Sequence, residues 1–217
     1  MIVVVGGIKG GAGKSTTAAN LAVRRAADGV PVLLIDGDDQ ETTNLWNATR
    51  GENPAAPSVP LTCIKLTGKA ARTELLKLAP NYSDVIVDVG GRDTTTQRAA
   101  LTVADIVLLP MPPRGPDVWT LDQVAALVDE VRAVNPKLRA LVFLNRADAQ
   151  GADNEQAAQI IQETEGLELI APRLGDRKAF PNAYTQGLAV CEVKPRDVKA
   201  VAELDELYQY LFDTKSE

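Results

Sequence analysis

A chain of 217 residues with 45% hydrophobic and 24% charged residues is long enough to bury a core and suits a single domain spanning 1–217. Its net charge of −6 leaves no overall cationic field, so any contact with nucleic acid must come from a local basic patch. Histidine is absent and the two cysteines, Cys63 and Cys191, lie far apart, which removes His-based triads, His-ligated metals and a disulfide framework.

In chain order, Ile2 to Val5 is an apolar run that reads as a buried parallel strand, and Thr16 to Ala27 carries apolar residues at helical spacing. Between them stands Ile8-Lys9-Gly10-Gly11-Ala12-Gly13-Lys14-Ser15-Thr16-Thr17. Strand, glycine-rich turn and helix in succession form the context of a phosphate-binding loop. Glycines let the backbone curl its N–H groups towards phosphate oxygens, and the helix starting near Lys14 adds its positive end to the same anion site. Lys14 is then expected to bridge the β- and γ-phosphates of a nucleotide, and the Ser15 hydroxyl to complete a Mg²⁺ shell. The nucleotide-binding set on this loop is Lys9, Gly10, Gly11, Ala12, Gly13, Lys14, Ser15 and Thr16.

Pro31 to Ile35 forms a second apolar strand ending in Asp36-Gly37-Asp38-Asp39-Gln40, where the carboxyl ends of parallel strands bind ligands. Glu41 to Arg50 reads as a short helix, Leu61 to Leu66 as a strand and Lys69 to Ala79 as an amphipathic helix. Val85-Ile86-Val87-Asp88-Val89-Gly90-Gly91 is a strand closed by an aspartate and two glycines. Paired with the phosphate loop, it fits a carboxylate that steadies Mg²⁺ through water, with Arg92 to Arg98 as a candidate switch segment containing Asp93.

Asp105 to Pro110 is a further strand, followed by the proline-rich Met111-Pro112-Pro113-Arg114-Gly115-Pro116. A long helix from Asp117 to Val134 presents Val118, Leu121, Val124, Leu127, Val128 and Val131 on one face. Leu138 to Leu144 leads into Asn145-Arg146-Ala147-Asp148, which resembles the N-K-x-D base-reading motif of GTPases, so Asn145 is expected to contact a purine. Asp153 to Glu165 reads as a helix, Leu167 to Ala171 as a short strand and Pro172 to Val193 as irregular. A final helix from Arg196 to Phe212 has Val198, Val201, Leu204, Leu207, Tyr208 and Leu211 as its buried side. Alternating strands and helices imply an α/β fold, one doubly wound, mostly parallel twisted sheet with helices on both faces. No apolar run approaches a membrane span and Met1 leads straight into the first strand, so a cytoplasmic location is expected.

Lys9-Gly10-Gly11-Ala12-Gly13-Lys14-Ser15 resembles the variant phosphate loop of the ParA/MinD group of ATPases, in which a second, signature lysine precedes the glycines. Asp36-Gly37-Asp38-Asp39-Gln40 resembles that group's D-x-D-P-Q box, with Asp39 in place of proline. The resemblance implies ATP and Mg²⁺ as cofactors and an ATP-sandwiched homodimer in which Lys9 reaches the facing subunit's nucleotide. It gives Asp38 the attacking water and Asp36 a supporting place in the Mg²⁺ shell, beside Ser15 and Asp88. Lys9, Lys14 and Asp38 form the implied catalytic set.

The short chain resembles the small ParA-type ATPases of plasmid partition, such as ParF. There the ATP dimer binds DNA without sequence preference and a centromere-binding adaptor of ParB/ParG type stimulates hydrolysis, which implies a nucleoid-associated protein. Candidate DNA contacts are Arg173, Arg177, Lys178, Lys194, Arg196 and Lys199, gathered towards the C-terminus of an acidic chain. The alternatives are a ParA-like positioning ATPase for a carboxysome or chemoreceptor cargo, a MinD-like membrane switch and a biosynthetic enzyme with a related loop. The acidic tail Asp213-Thr214-Lys215-Ser216-Glu217 speaks against an anionic bilayer, so no membrane partner is expected.

Overall fold

The computed structural model describes residues 1–92, 94–114, 120–150 and 152–212. Eight strands are formed among them: β1 (Ile2–Val5), β2 (Val32–Gly37), β3 (Leu61–Lys65), β4 (Asp84–Val89), β5 (Ile106–Met111), β6 (Arg139–Ala147), β7 (Glu168–Leu169) and β8 (Leu174–Gly175). The sheet runs β3-β2-β4-β1-β5-β6-β7, with β8 also pairing β6, and every pairing is parallel. β1 sits between β4 and β5, so strand order reverses at its carboxyl end, the position where open α/β sheets form a ligand crevice.

The helices are α1 (Lys14–Ala26), α2 (Thr42–Glu52), α3 (Ala71–Leu78), α4 (Thr95–Leu101), α5 (Leu121–Arg132), α6 (Asp153–Glu163), α7 (Ala179–Tyr184) and α8 (Val198–Phe212). Because strand side chains alternate, the sheet divides its apolar residues between two cores. Val3, Val5, Leu34, Ile86, Leu108 and Phe143 meet α1, α7, α8 and Trp46 of α2 on one face. Val4, Leu33, Val87, Val107 and Val142 meet α3, α4, α5 and α6 on the other. The doubly wound α/β architecture expected from the sequence is the architecture observed. Among the described residues no helix is long and apolar enough to cross a membrane.

Several boundaries differ from expectation. β2 continues past Ile35 to Gly37 and β6 past Leu144 to Ala147, because their ends find partners in β4 and β8, so Asp36 and Asn145 are strand residues. Thr94 caps α4, accepting from the Gln97 amide at 3.1 Å, within the segment read as a switch. The stretch read as irregular contains β8 and α7. α8 begins two residues late because the Asp197 carboxylate caps it, accepting the Lys199 and Ala200 amides at 3.1 and 3.0 Å. Val198 therefore lies at the overhanging first turn and is 77% exposed, not buried. Asp93, Gly115, Pro116, the helix start at Asp117 and Val118, and the tail from Asp213 to Glu217 lie outside the described residues.

α2 is fastened to the segment after α7 by a buried ion pair. The Arg50 guanidinium donates to both Glu192 oxygens at 2.7 and 2.8 Å, and to the Gly187 and Pro57 carbonyls at 3.2 and 3.0 Å. Removing one partner strands the other charge in the interior, whereas removing both does not. Arg50→Met should therefore lower unfolding free energy by about 3–5 kcal/mol in a urea titration, and adding Glu192→Leu should restore most of it.

Candidate functional site

The crevice at the end of β1 is built by backbone as much as by side chains. Gly13 takes a left-handed φ of 90°, and a Cβ there would collide with the Asn145 amide that packs against it. Asn145 donates from Nδ2 to the Ala12 carbonyl at 2.6 Å, so the end of β6 braces the glycine loop. From the other side, a Cβ on Gly91 would lie 2.7 Å from the Gly10 nitrogen and 2.9 Å from the Lys9 carbonyl carbon. Only glycine allows the turn after β4 to rest directly on the lysine-bearing loop.

Lys14 opens α1 and is buried at 7% exposure, its ammonium donating to the Lys9 carbonyl at 2.8 Å. Burial draws its pKa down, against the pull of the Asp88 and Asp38 carboxylates. A desolvated ammonium at the start of α1, beside a glycine loop, is arranged to take an anion. The surrounding cavity of about 280 Å³ is lined by Gly10, Gly11, Gly13, Lys14, Ser15, Thr16, Asp38, Thr42, Gly91, Arg146 and Tyr184. Gly10, Gly11, Gly13, Lys14, Ser15 and Thr16 of the predicted loop set thus share this cavity, whereas half-buried Lys9 and buried Ala12 line a separate pocket towards β5.

Asp36 and Asp88 are fully buried and lie opposite each other in the β2–β4 register. Each Asp36 oxygen accepts a backbone amide, Oδ1 from Asp38 at 3.0 Å and Oδ2 from Asn44 at 2.7 Å, so this carboxylate holds the turn into α2. Burial raises its pKa, opposed by those amides. Asp88 Oδ2 accepts the Thr43 hydroxyl at 2.6 Å, whereas Oδ1 has no hydrogen-bond partner. Burial pushes the Asp88 carboxyl up to about 7, against the Thr43 hydrogen bond and the favourable pull of the nearby Ser15 hydroxyl and Lys14 ammonium. Asp38 is half-buried, caps its own turn by accepting the Gln40 amide at 3.1 Å, and rests against Gly90.

An orphaned buried carboxylate oxygen near a serine hydroxyl and the phosphate loop fits a hydrated divalent cation. Such a hard ion keeps several waters and takes its remaining oxygens from phosphate. Among the described residues no group of three His, Cys, Asp or Glu side chains forms a metal cage, so the set suits Mg²⁺ carried in with a nucleotide.

Beside the phosphate cavity, and sharing Gly13, Thr16 and Arg146 with it, is a smaller pocket of about 70 Å³. Asn20, Asn145, Leu174, Arg177, Phe180 and Pro181 contribute to its walls. Asn145 thus lines a pocket next to the phosphate-loop cavity, with one of its amide hydrogens already given to the loop. Asp148, the fourth residue of the GTPase-like motif, instead lines a neighbouring groove. Arg146 adopts a φ of 53°, rare for a residue with a side chain, and lines both cavities.

Sequence reasoning missed the contributions of Phe180, Pro181, Tyr184 and Thr43. A proline in the first turn of an apolar i, i+3 pair, Phe180 and Ala183, was the available sign of α7.

Of the expected DNA contacts, Arg173, Lys178, Lys194, Arg196 and Lys199 are exposed. Arg177 is committed elsewhere: it grips Glu203 through Nε and a terminal nitrogen at 2.8 and 2.6 Å, while Glu203 also accepts the Gly175 amide at 3.0 Å. Arg173 and Lys199 share a groove of about 470 Å³ with Asp148, Asp176 and Glu203, so the basic residues do not form a uniformly positive surface.

Residues 3–190 match the family described as the CobQ/CobB/MinD/ParA nucleotide binding domain. A protein named ParA from Rhizobium radiobacter is 30% identical over 210 residues, spanning 94% of this chain and 91% of that protein. The maintenance of carboxysome distribution protein A of Halothiobacillus neapolitanus is 28% identical over 205 residues, spanning 94% and 92%. Among solved structures, the ATP complex of McdA from Cyanothece superposes with a TM-score of 0.77 at 18% identity, covering 97% of this chain and 95% of that one. By the span of the family match and the ParA relative, the chain belongs to the CobQ/CobB/MinD/ParA family of nucleotide-binding domains, on its ParA-type side.

Proposed function

We propose that this protein is a Mg²⁺-dependent ATPase that dimerises around ATP, binds DNA non-specifically in that state and drives partition of a plasmid or chromosome with a centromere-binding adaptor of ParB/ParG type. The observation that carries this reading is the contact of Gly91 with the Lys9–Gly10 backbone, which ties the turn beneath the γ-phosphate position to the lysine that would cross to a second subunit. In this reading the loop amides and buried Lys14 hold the triphosphate and favour charge developing on its terminal oxygens. Mg²⁺, when bound, neutralises the β- and γ-phosphate oxygens. Ser15 and Asp88 hold its place, and Asp36 supports them indirectly by fixing the turn that carries Asp38. Asp38 accepts a proton from the attacking water or orients it.

Lys9 placed on the partner's triphosphate favours the dimer only while the γ-phosphate remains, because charge-assisted contacts shielded from water are strong. The DNA surface is assigned to Arg173, Lys178, Lys194, Arg196 and Lys199, with Arg177 acting as a brace through Glu203. Five cations per subunit, doubled in a dimer, give binding that weakens steeply with salt. A second reading, the same switch positioning a protein cargo, is favoured by the carboxysome-distribution relative that covers 94% of this chain. The Cyanothece likeness supports the fold alone.

Lys9→Ala should bind ATP with near wild-type affinity yet remain monomeric with ATP in sedimentation; a persisting ATP dimer removes Lys9 from the interface. Asp38→Ala should keep the ATP dimer while turnover falls about 100-fold or more; wild-type turnover takes Asp38 out of the mechanism. Binding to random-sequence duplex should require ATP over ADP and drop at least tenfold between roughly 50 and 200 mM salt. Nucleotide-independent binding, or none with ATPase activity intact, turns the assignment towards a protein-only role.

A further inference from the structure

The two oxygens of Asp88 are not equivalent, and the difference is set by a residue outside the phosphate loop. The carboxylate has no exposure to water; Oδ2 takes the Thr43 proton at 2.6 Å and Oδ1 takes none. Thr43 is itself fully buried in the first turn of α2, where a β-branched side chain has few rotamers. Its single proton is committed to Asp88, since a carboxylate only accepts.

The far side of the Thr43 hydroxyl is closed by Tyr184. The two oxygens lie 3.5 Å apart, and the phenol donates to the Thr42 carbonyl at 3.0 Å. Tyr184 is stacked on Trp46 with ring centroids 6.1 Å apart, so it has little room to swing away. The same first turn of α2 gives the Asn44 amide to Asp36, the register neighbour of Asp88. One turn of helix thereby holds both buried carboxylates, one by backbone and one by a hydroxyl.

The geometry points to Thr43 as a positioning residue for the cation: by occupying Oδ2 it presents Oδ1 to the water shell of the Mg²⁺ that the proposed ATPase reading places beside Ser15. This rests on that reading, and it concerns the orientation of Asp88, not contact with nucleotide. Partners that orient a metal-site carboxylate commonly set metal affinity by ten- to a hundredfold.

The test uses the full chain and a fluorescent non-hydrolysable ATP analogue, titrated with MgCl₂ and also measured in EDTA. Wild type should bind more tightly as Mg²⁺ is added; a wild type indifferent to Mg²⁺ overturns the Mg-ATP reading itself. Thr43→Val, nearly the same shape without the proton donor, should keep wild-type affinity in EDTA and need about tenfold more Mg²⁺ to reach half its gain. Thr43→Ser should return the midpoint to within about threefold of wild type. If Thr43→Val does not fold, Thr43→Ala carries the same comparison. A wild-type Mg²⁺ midpoint in the variant, or an equal loss with and without Mg²⁺, overturns the positioning role.

Discussion

Three charges without water govern the structure around the crevice. Lys14, Asp36 and Asp88 are all at least nine-tenths buried at the carboxyl ends of β1, β2 and β4. A buried charge persists only where hydrogen bonds or opposite charge replace its hydration. Asp36 is fully supplied by the turn into α2. Lys14 and Asp88 are supplied only in part, by the Lys9 carbonyl and Thr43 together with their mutual attraction. The fold thus satisfies what it needs to hold its shape and leaves a desolvated cation and, close enough to attract it, a carboxylate with one lone oxygen. A nucleotide with its metal answers both demands, and pairing them in one site favours the joint ligand over either alone.

Much of this was legible from residue patterns. The apolar runs of β1, β2 and β4 announced buried parallel strands, and the glycine-lysine-serine sequence between a strand and a helix has few other uses. Local features were legible because their causes are local. Thr43, Tyr184 and the Arg50–Glu192 pair were not, since the partners stand up to 142 residues apart and meet only once α2 packs on the segment after α7. Asn145 has a part that its motif did not show: its amide braces the glycine loop at the Ala12 carbonyl, 133 residues away. Val198 was assigned to the core by carrying the helical stripe into the first turn, which Asp197 caps and which overhangs the core.

The basic residues illustrate a different limit. Charge counted along a sequence does not reveal which cations are already neutralised. Arg177 and Glu203 are 26 positions apart, too distant for any helical spacing rule, yet they form a two-point ion pair that also anchors β8 through the Gly175 amide. Exposed Arg173 and Lys199 sit across from carboxylates in the same groove. Any polyanion approaching there meets alternating signs, and its hold would depend on geometry more than on total charge.

The contact between Gly91 and the Lys9–Gly10 backbone has a mechanical consequence. Two loops touching main chain to main chain have no side chain between them to bend or change rotamer, so the joint has no slack. In the proposed ATPase, a displacement of the turn after β4 would therefore meet the lysine loop directly, with no side chain between them to absorb it. The Lys9 loop and the turn after β4 thus share one backbone seam, and any substitution that adds a Cβ at Gly91 would force the two apart.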